Sequence, residues 1–336
     1  MDREGAEPVQ PTGTVSPIGP RTLFRVPVFI ATIGALAITL VGRAAAGTWP
    51  FALVTNFPVQ LLIAGVTLTA LALLLRARLT ALVAVACVVL NGLPVVSTLT
   101  QDARPARAGA PRITIGHLNA QTRPIDVPAL GRYLATQHPS IFVVLDPAQA
   151  DVSRLTNVAP GYMVYRTGAH VTMNPEFVRT VVLSRIHLGR VRHPDDPDFG
   201  ASAVDIEVDR APVLSIVAFG TDSPTTSGRA GKRDQALHAA AKWSRAHSGR
   251  RVVMGDFNTT PWSSSFRRLL HDGRLFDSLS GFGLQVSWPE SNVLLRIPID
   301  HAVLGPALAA TARGTGPSFG SQHRSLHVTV TERDRP

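Results

Sequence analysis

The chain has 336 residues and a formal net charge of +10, from 33 Lys and Arg against 23 Asp and Glu. That length allows about two domains, and its single cysteine, Cys87, excludes an intrachain disulfide. The positive excess is nearly all arginine, and its densest run, 229–251, holds a single aromatic residue, Trp243, too few for a stacking platform for single-stranded nucleic acid.

Residues 1–22 are rich in Pro, Gly and Thr and read as a disordered tail. An uncharged apolar stretch then lies between Arg25 and Arg43, the next charge is Arg76, and after Arg78 none appears until Asp102. A helix needs about 20 apolar residues to cross a bilayer. Three transmembrane helices are therefore predicted within 23–98, near 24–42, 53–75 and 79–98. Two further spans follow the first, so it reads as an anchor and not as a cleaved signal. Three spans put the N-terminus and the C-terminal part on opposite sides. Arg3, Arg21, Arg25, Arg76 and Arg78 outweigh Arg43, which favours a cytoplasmic N-terminus and an extracytoplasmic domain on a multi-pass protein of the bacterial cell membrane. Arg104, Arg107 and Arg112 run against this orientation, but a long folded domain translocates despite such charges.

Residues 99–111 read as a linker. Beyond it, over 112–331, short β-branched runs alternate with amphipathic stretches. Strands are predicted at 112–119, 140–146, 178–184, 203–208, 212–219, 251–256, 299–304 and 325–330, and helices at 127–138, 230–247 and 263–272. Strands joined both directly and through helices predict an α/β domain of two packed sheets with helices outside. The basic run over 229–251, from Arg229 and Lys232 to Arg250 and Arg251, suits a solvated face beside anionic lipid or the steering of an anionic substrate.

The chain has no Walker A loop, no nucleophilic serine elbow and no Cys/His arrangement. His187 and His193 have no metal-like spacing, and Asp195, Asp196 and Asp198 fall in a Pro-containing solvated loop. Chemistry is concentrated at three strand ends. Val252-Val253-Met254 breaks into Gly255-Asp256-Phe257-Asn258, and Ile299-Asp300-His301 and Gly320-Ser321-Gln322-His323-Arg324 follow. The first places a carboxylate and an amide at a sheet edge. The later Asp and His can supply an oriented base.

In combination these segments resemble the endonuclease/exonuclease/phosphatase family, and within it the membrane-anchored bacterial branch, over about residues 111–331. The resemblance implies a four-layer α/β/β/α sandwich, two packed mixed β-sheets flanked by helices, and phosphate-ester hydrolysis with Mg²⁺ or Mn²⁺. It gives Asp256 the task of orienting or deprotonating the nucleophile. Asn258 would bond the phosphate, and Asp300 would orient His323. It places Asn119 and Asp146 at the metal, with Asp146 standing where the family has Glu.

Two positions depart from that pattern. Gln322 stands where the family has a metal-binding Asp, and Asp222 where it has a His that donates to phosphate. An unshielded Asp222 within about 4 Å of phosphate costs roughly 4 kcal/mol at an effective dielectric of 20, on the order of a thousandfold in rate. The exchange of charge between the two positions also allows a metal displaced toward Asp222. Two functions follow. One is an impaired, membrane-tethered, metal-dependent phosphoesterase. Its partners are the lipid bilayer and a phosphate-containing substrate (a nucleic acid, a lipid head group or a small ester), with no protein partner evident. The other is a catalytically inactive pseudoenzyme serving as a binding or structural module at the membrane surface.

Overall fold

Three apolar helices come first in the computed structural model, which describes residues 20–167, 178–209 and 213–334. They are α1 (Pro20–Ala44), α2 (Pro58–Leu74) and α3 (Arg78–Leu99). By length and composition, two of them, α1 and α3, suffice to cross a membrane. The expected middle span over 53–75 is corrected: α2 has 17 residues, and Phe51–Asn56 before it is a separate 3₁₀ turn. Pro58 explains the break. It lacks an N–H and is best placed in the first turn of a helix, where it stands here. The tail expected over 1–22 lies outside the described residues except for 20–22, which already open α1.

The helices pack as a bundle with a defined polarity. Asn91 Nδ2 in α3 donates to Thr39 Oγ1 in α1 at 3.0 Å, in the buried interior. Arg25 Nε donates to the Leu75 carbonyl at 3.0 Å, so the start of α1 lies beside the α2–α3 turn. The 45–57 connection therefore sits at the other end, and there it meets the C-terminal domain. Asn56 Oδ1 accepts from Thr260 N and Thr260 Oγ1 at 3.0 and 3.1 Å. Ser264 Oγ donates to the Ala46 carbonyl at 2.9 Å, and Trp49 Nε1 donates to that of Pro224 at 3.1 Å.

The domain contains β1 (Ile113–Asn119), α4 (Val127–Gln137), β2 (Ile141–Leu145), α5 (Gln149–Thr156), β3 (Met163–Thr167), β4 (Thr180–Ser184), β5 (Arg190–Arg192) and β6 (Val204–Val208). It continues with β7 (Leu214–Gly220), α6 (Ser227–Ala246), β8 (Arg250–Asp256), α7 (Ser264–Gly273), β9 (Phe276–Asp277), β10 (Asp300–Leu304), β11 (Leu308–Thr315) and β12 (Leu326–Glu332). Two mixed sheets form, in the orders β11-β12-β1-β2-β4-β3 and β5-β6-β7-β8-β10-β9. Each has a parallel pair at its centre, β1 with β2 and β7 with β8, joined by a crossover helix. All four of those strands are buried on both faces over most of their length, which is why β2 and the middles of β7 and β8 read as apolar runs. One apolar core fills the space between the sheets, around Ile115, Val143, Ile216 and Met254. A second lies under α6 and α7, and a third under α4. This is the four-layer sandwich.

The segment expected to be a linker, 99–111, is fixed to the domain. Arg107 N donates to Glu332 O, and Asp334 N donates to Pro105 O, both at 2.9 Å, continuing the pairing past β12. The Arg104 guanidinium carbon sits 3.0 Å from the centre of the Phe276 ring.

Gly255 is the position where the fold depends most directly on a missing side chain. Its φ is +136°, and a Cβ there would lie 1.9 Å from the Phe219 carbonyl oxygen on the paired strand. Gly255→Ala is expected to destabilise the domain by about 3 kcal/mol or more and to lower the thermal midpoint in a calorimetric scan. An unchanged midpoint contradicts the β7–β8 contact.

Candidate active site

The two parallel pairs end at the same mouth, and their last residues carry the polar groups. Asn119 ends β1, Asp146 follows β2, Gly220 ends β7 and Asp256 ends β8. Asp146 and Asn258 both take left-handed backbone, at φ 44° and 48°. Asp and Asn tolerate that region better than most side chains do. Turning the chain there aims the groups into the mouth instead of along the strands.

Asp256, Asp300 and His323 meet in the buried interior of the mouth, with ligand-type atoms all within 4.8 Å of one another. Asp300 lies opposite Asp256 in the β8–β10 register. His323 Nδ1 donates to Asp300 Oδ2 at 2.8 Å, and His323 Nε2 stands 3.6 Å from Asp256 Oδ2. Asp256 accepts from Asn119 Nδ2 at 2.9 Å, from Asn258 Nδ2 at 3.0 Å and from Asn258 N at 2.9 Å. Asn258 Nδ2 also donates to Thr221 O at 2.9 Å. The amide expected to bond phosphate thus orients the carboxylate.

Burial sets the electrostatics. It pushes the Asp256 carboxyl up to about 7, against the pull of the His323 cation. For His323 burial acts downward, but Asp300 and Asp256 on either side overcome it and raise the imidazole to about 9. Asp300 moves below the usual carboxylate range, because the His323 charge and hydrogen bond outweigh its burial. His323 is therefore an imidazolium at neutral pH. Gln121 Nε2 stands 2.9 Å from His323 Nε2, so a proton on that ring nitrogen requires the amide to turn its oxygen toward it.

The remaining expected site residues divide. A cavity of about 410 Å³ beside the cluster is lined by Asn119, Asp146, Arg179, Thr221, Asp222 and Lys232 among others. A Cβ on Gly220 would stand 3.9 Å from Asp146 Oδ2 and 4.0 Å from Asn119 Nδ2, so the bare glycine leaves these two facing one open space. Burial raises the Asp146 carboxyl, opposed by Arg179 at 3.2 Å and by the Ser202 hydroxyl. Asp222 pairs with Arg229 at 3.4 Å. Gln322 does not line this cavity; its carbonyl accepts from Glu290 N at 2.8 Å.

Several supporting residues had no expectation attached. Ser321 Oγ donates to the Asn119 carbonyl at 2.6 Å and accepts from His323 N at 3.0 Å, tying the two strand ends together. Ser287 Oγ accepts from the backbone of Ile299 and Asp300. His117 Nε2 lies 3.7 Å from Asp300 Oδ1, and burial lowers this imidazole to about 4, so it stays neutral. The position of Ser321 inside the Gly-Ser-Gln-His-Arg turn was a usable signal. Arg179 and Ser287 sit in segments without a motif.

A model of the Endonuclease/Exonuclease/phosphatase family matches residues 117–323. No curated protein matches the sequence significantly. Among solved structures, a family protein from Bacteroides thetaiotaomicron is similar at 15% identity and TM-score 0.53, covering 66% of this chain and 95% of that one. A mannosyl-6-phosphatase from Bacteroides thetaiotaomicron VPI-5482 is similar at 14% identity and TM-score 0.53, covering 65% and 99%. TDP2 of D. rerio, in complex with a single strand DNA product, is similar at 13% identity and TM-score 0.52, covering 66% and 99%. At such identities the likeness is one of fold.

Proposed function

Because the chain belongs to the endonuclease/exonuclease/phosphatase family, we propose that it is a membrane-tethered phosphoesterase that works with a divalent cation. The observation that carries this reading is the unbroken hydrogen-bonded set Asn258–Asp256–Asn119 facing the His323–Asp300 pair. Asp256 takes a proton from the attacking water at its carboxylate. His323, charged and held by Asp300, balances the phosphoryl oxygens and protonates the departing oxygen from Nε2. Asn119 and Asn258 fix Asp256 for that role.

The donor set suits Mg²⁺ or Mn²⁺. Asp146 Oδ2 faces the open space beside Gly220, and Mg²⁺ is held by one or two carboxylates plus waters and substrate phosphate; the Asn119 atom nearest that space is the donor Nδ2, while its Oδ1 accepts from Gln121 N. Asp146 would hold the cation, with Asp222 across the cavity, and Asn119 would join only through its Oδ1. When bound, it neutralises charge on the phosphoryl group. The repulsion expected from Asp222 is lessened, because Arg229 pairs with it and Lys232 lines the same cavity. The ion pairs of Asp146 and Asp222 also favour the second reading, an inactive binding module, since both arginines compete with a cation.

The deciding experiment is Mg²⁺ and Mn²⁺ titration of the purified full-length protein, with calorimetry and bis-p-nitrophenyl phosphate hydrolysis measured together. Saturable binding with turnover supports the phosphoesterase. Absence of both favours the binding module.

The three helices are proposed to cross the bilayer, with α2 as the short middle span of about 26 Å. The domain packs on the bundle end away from the start of α1. With the arginine asymmetry, this gives a cytoplasmic N-terminus and an extracytoplasmic domain. Protease added to intact spheroplasts is expected to digest the domain; its protection there reverses the orientation.

A further inference from the structure

The loop over 289–297 combines three properties that nothing in the hydrolytic site requires together. Its tip is apolar and open, with Val293 70%, Leu294 79% and Leu295 52% exposed. Its frame is built. The Asn292 side chain accepts from Leu294 N and Leu295 N at 3.1 and 3.3 Å, and Arg296 clamps the Pro289 and Glu290 carbonyls and the Glu290 carboxylate. Its base reaches the active site, since Glu290 N donates to the Gln322 carbonyl and the Trp288 ring centre lies 6.5 Å from that of His323.

The same loop is tied to the helical bundle. Gln60 Nε2, in the first turn of α2, donates to the Leu294 and Arg296 carbonyls at 3.3 and 3.2 Å. One turn further along α2, Ile63 is 61% exposed and begins the apolar outer face of the bundle. The rise from Gln60 to Ile63 is about 4.5 Å, within the reach of a leucine side chain. Three consecutive aliphatic side chains held open to water at that height match an amphipathic surface that sinks into the acyl boundary.

We propose that residues 291–295 are an interfacial anchor: Val293, Leu294 and Leu295 enter the bilayer beside α2, and the His323 mouth faces phosphate esters in the headgroup layer. The proposal rests on the preceding reading that the helices cross the membrane and the site hydrolyses phosphate esters. The substrate class is then a lipid-borne phosphodiester. Water adds to phosphorus as the P–O bond to the lipid breaks. The proton of that water ends on the lipid hydroxyl, and a soluble headgroup phosphate leaves.

Cys87 is buried in α3, so a thiol-reactive fluorophore on Leu294→Cys reports that site, with the unsubstituted chain as background. The full-length protein is placed in vesicles of bacterial polar lipid containing a fraction of doxyl-labelled lipid. The label at 294 is expected to be blue-shifted and quenched at least threefold more than one on Met163→Cys, which opens β3 on the side away from the mouth. Equal quenching at the two sites overturns the anchor, whether or not the protein hydrolyses anything. The triple change of Val293, Leu294 and Leu295 to Ser is expected to reduce release of soluble phosphate from phosphorus-labelled vesicles about tenfold and to spare bis-p-nitrophenyl phosphate. Equal loss on both substrates, or no loss on either, overturns the lipid substrate. A protein inert toward every ester removes the hydrolytic reading and leaves the quenching to decide the anchor alone.

Discussion

Asp256→Asn is expected to lower phosphodiester hydrolysis by about 10²–10⁴-fold, the range lost when a positioned general base is removed. The substitution keeps the volume of the side chain and removes its charge. Asp256 accepts three hydrogen bonds, from Asn119 Nδ2, Asn258 Nδ2 and Asn258 N. An amide in its place offers one oxygen to those donors and turns its own NH₂ toward at least one of them. The resulting mismatch is local, because the β7–β8 and β8–β10 ladders that carry the residue are backbone pairings. Circular dichroism and the thermal midpoint should therefore stay close to those of the unsubstituted protein while turnover collapses. A variant that retains more than about a tenth of the rate removes Asp256 from the proton path.

Asp222→Ala separates two accounts of the departure from the family pattern. The sequence places this carboxylate where a donor to phosphate is expected, and the bare Coulomb argument makes it inhibitory. The structure gives it Arg229 at 3.4 Å, and Lys232 lines the same cavity. Removing the carboxylate should thus change turnover by less than the thousandfold that an unshielded charge implies, in either direction. A rise approaching a thousandfold in the rate of bis-p-nitrophenyl phosphate hydrolysis shows that Arg229 leaves the charge unshielded.

The sequence made the central strands readable because they are buried on both faces. Ile141–Leu145 and Val252–Met254 are uninterrupted apolar runs, and turn residues bound them. The edges were not readable. β11 is Leu-Ala-Ala-Thr-Ala-Arg-Gly-Thr, too small and mixed to show a period of two, and its Arg313 is buried against Ser278 and Gln285. β5 and β9 are three and two residues long and exist only through their neighbours. The same division holds in the site. Asp256, Asn258, Asp300 and His323 stand in strand-end motifs, and the structure brings them together. Gln322 stands in one too, yet Ser321 and His323 use the turn and leave Gln322 bonded through its backbone. Arg179, which holds Asp146, immediately precedes β4, the strand paired with β2, and their ion pair spans 33 residues of sequence that no local pattern connects. The middle helix was over-extended because hydropathy counts Phe51–Asn56 as part of a span. What decides it is Pro58 and the attachment of Asn56 to Thr260.

Asp300→Asn is expected to reshape the pH dependence as well as the rate. In the unsubstituted protein Asp256 must be ionised, and burial holds it up to about 7, so activity rises as the pH passes that value. His323 must be protonated. It is raised to about 9 by Asp300 and Asp256 acting against burial, so activity falls as the pH passes about 9. The profile of kcat/KM is then a bell between these limits, and its two apparent values belong to the coupled cluster. An amide at 300 still accepts the Nδ1–H bond now made at 2.8 Å and keeps the ring oriented. It contributes no charge. Burial then opposes the imidazolium with Asp256 alone in its favour, and the falling limb should move down by about one to two pH units. Loss of the neighbouring negative charge also eases ionisation of Asp256, so the rising limb should move down with it, by a smaller amount because 300 contacts the imidazole directly. The bell narrows, and its maximum falls by about 10²-fold, the lower end for an acid–base group held in the wrong charge state. Measurement of kcat/KM from pH 5 to pH 10 on both proteins decides the matter. A falling limb that stays near 9 in the variant takes Asp300 out of the control of His323 and leaves Asp256 as the sole support of its charge.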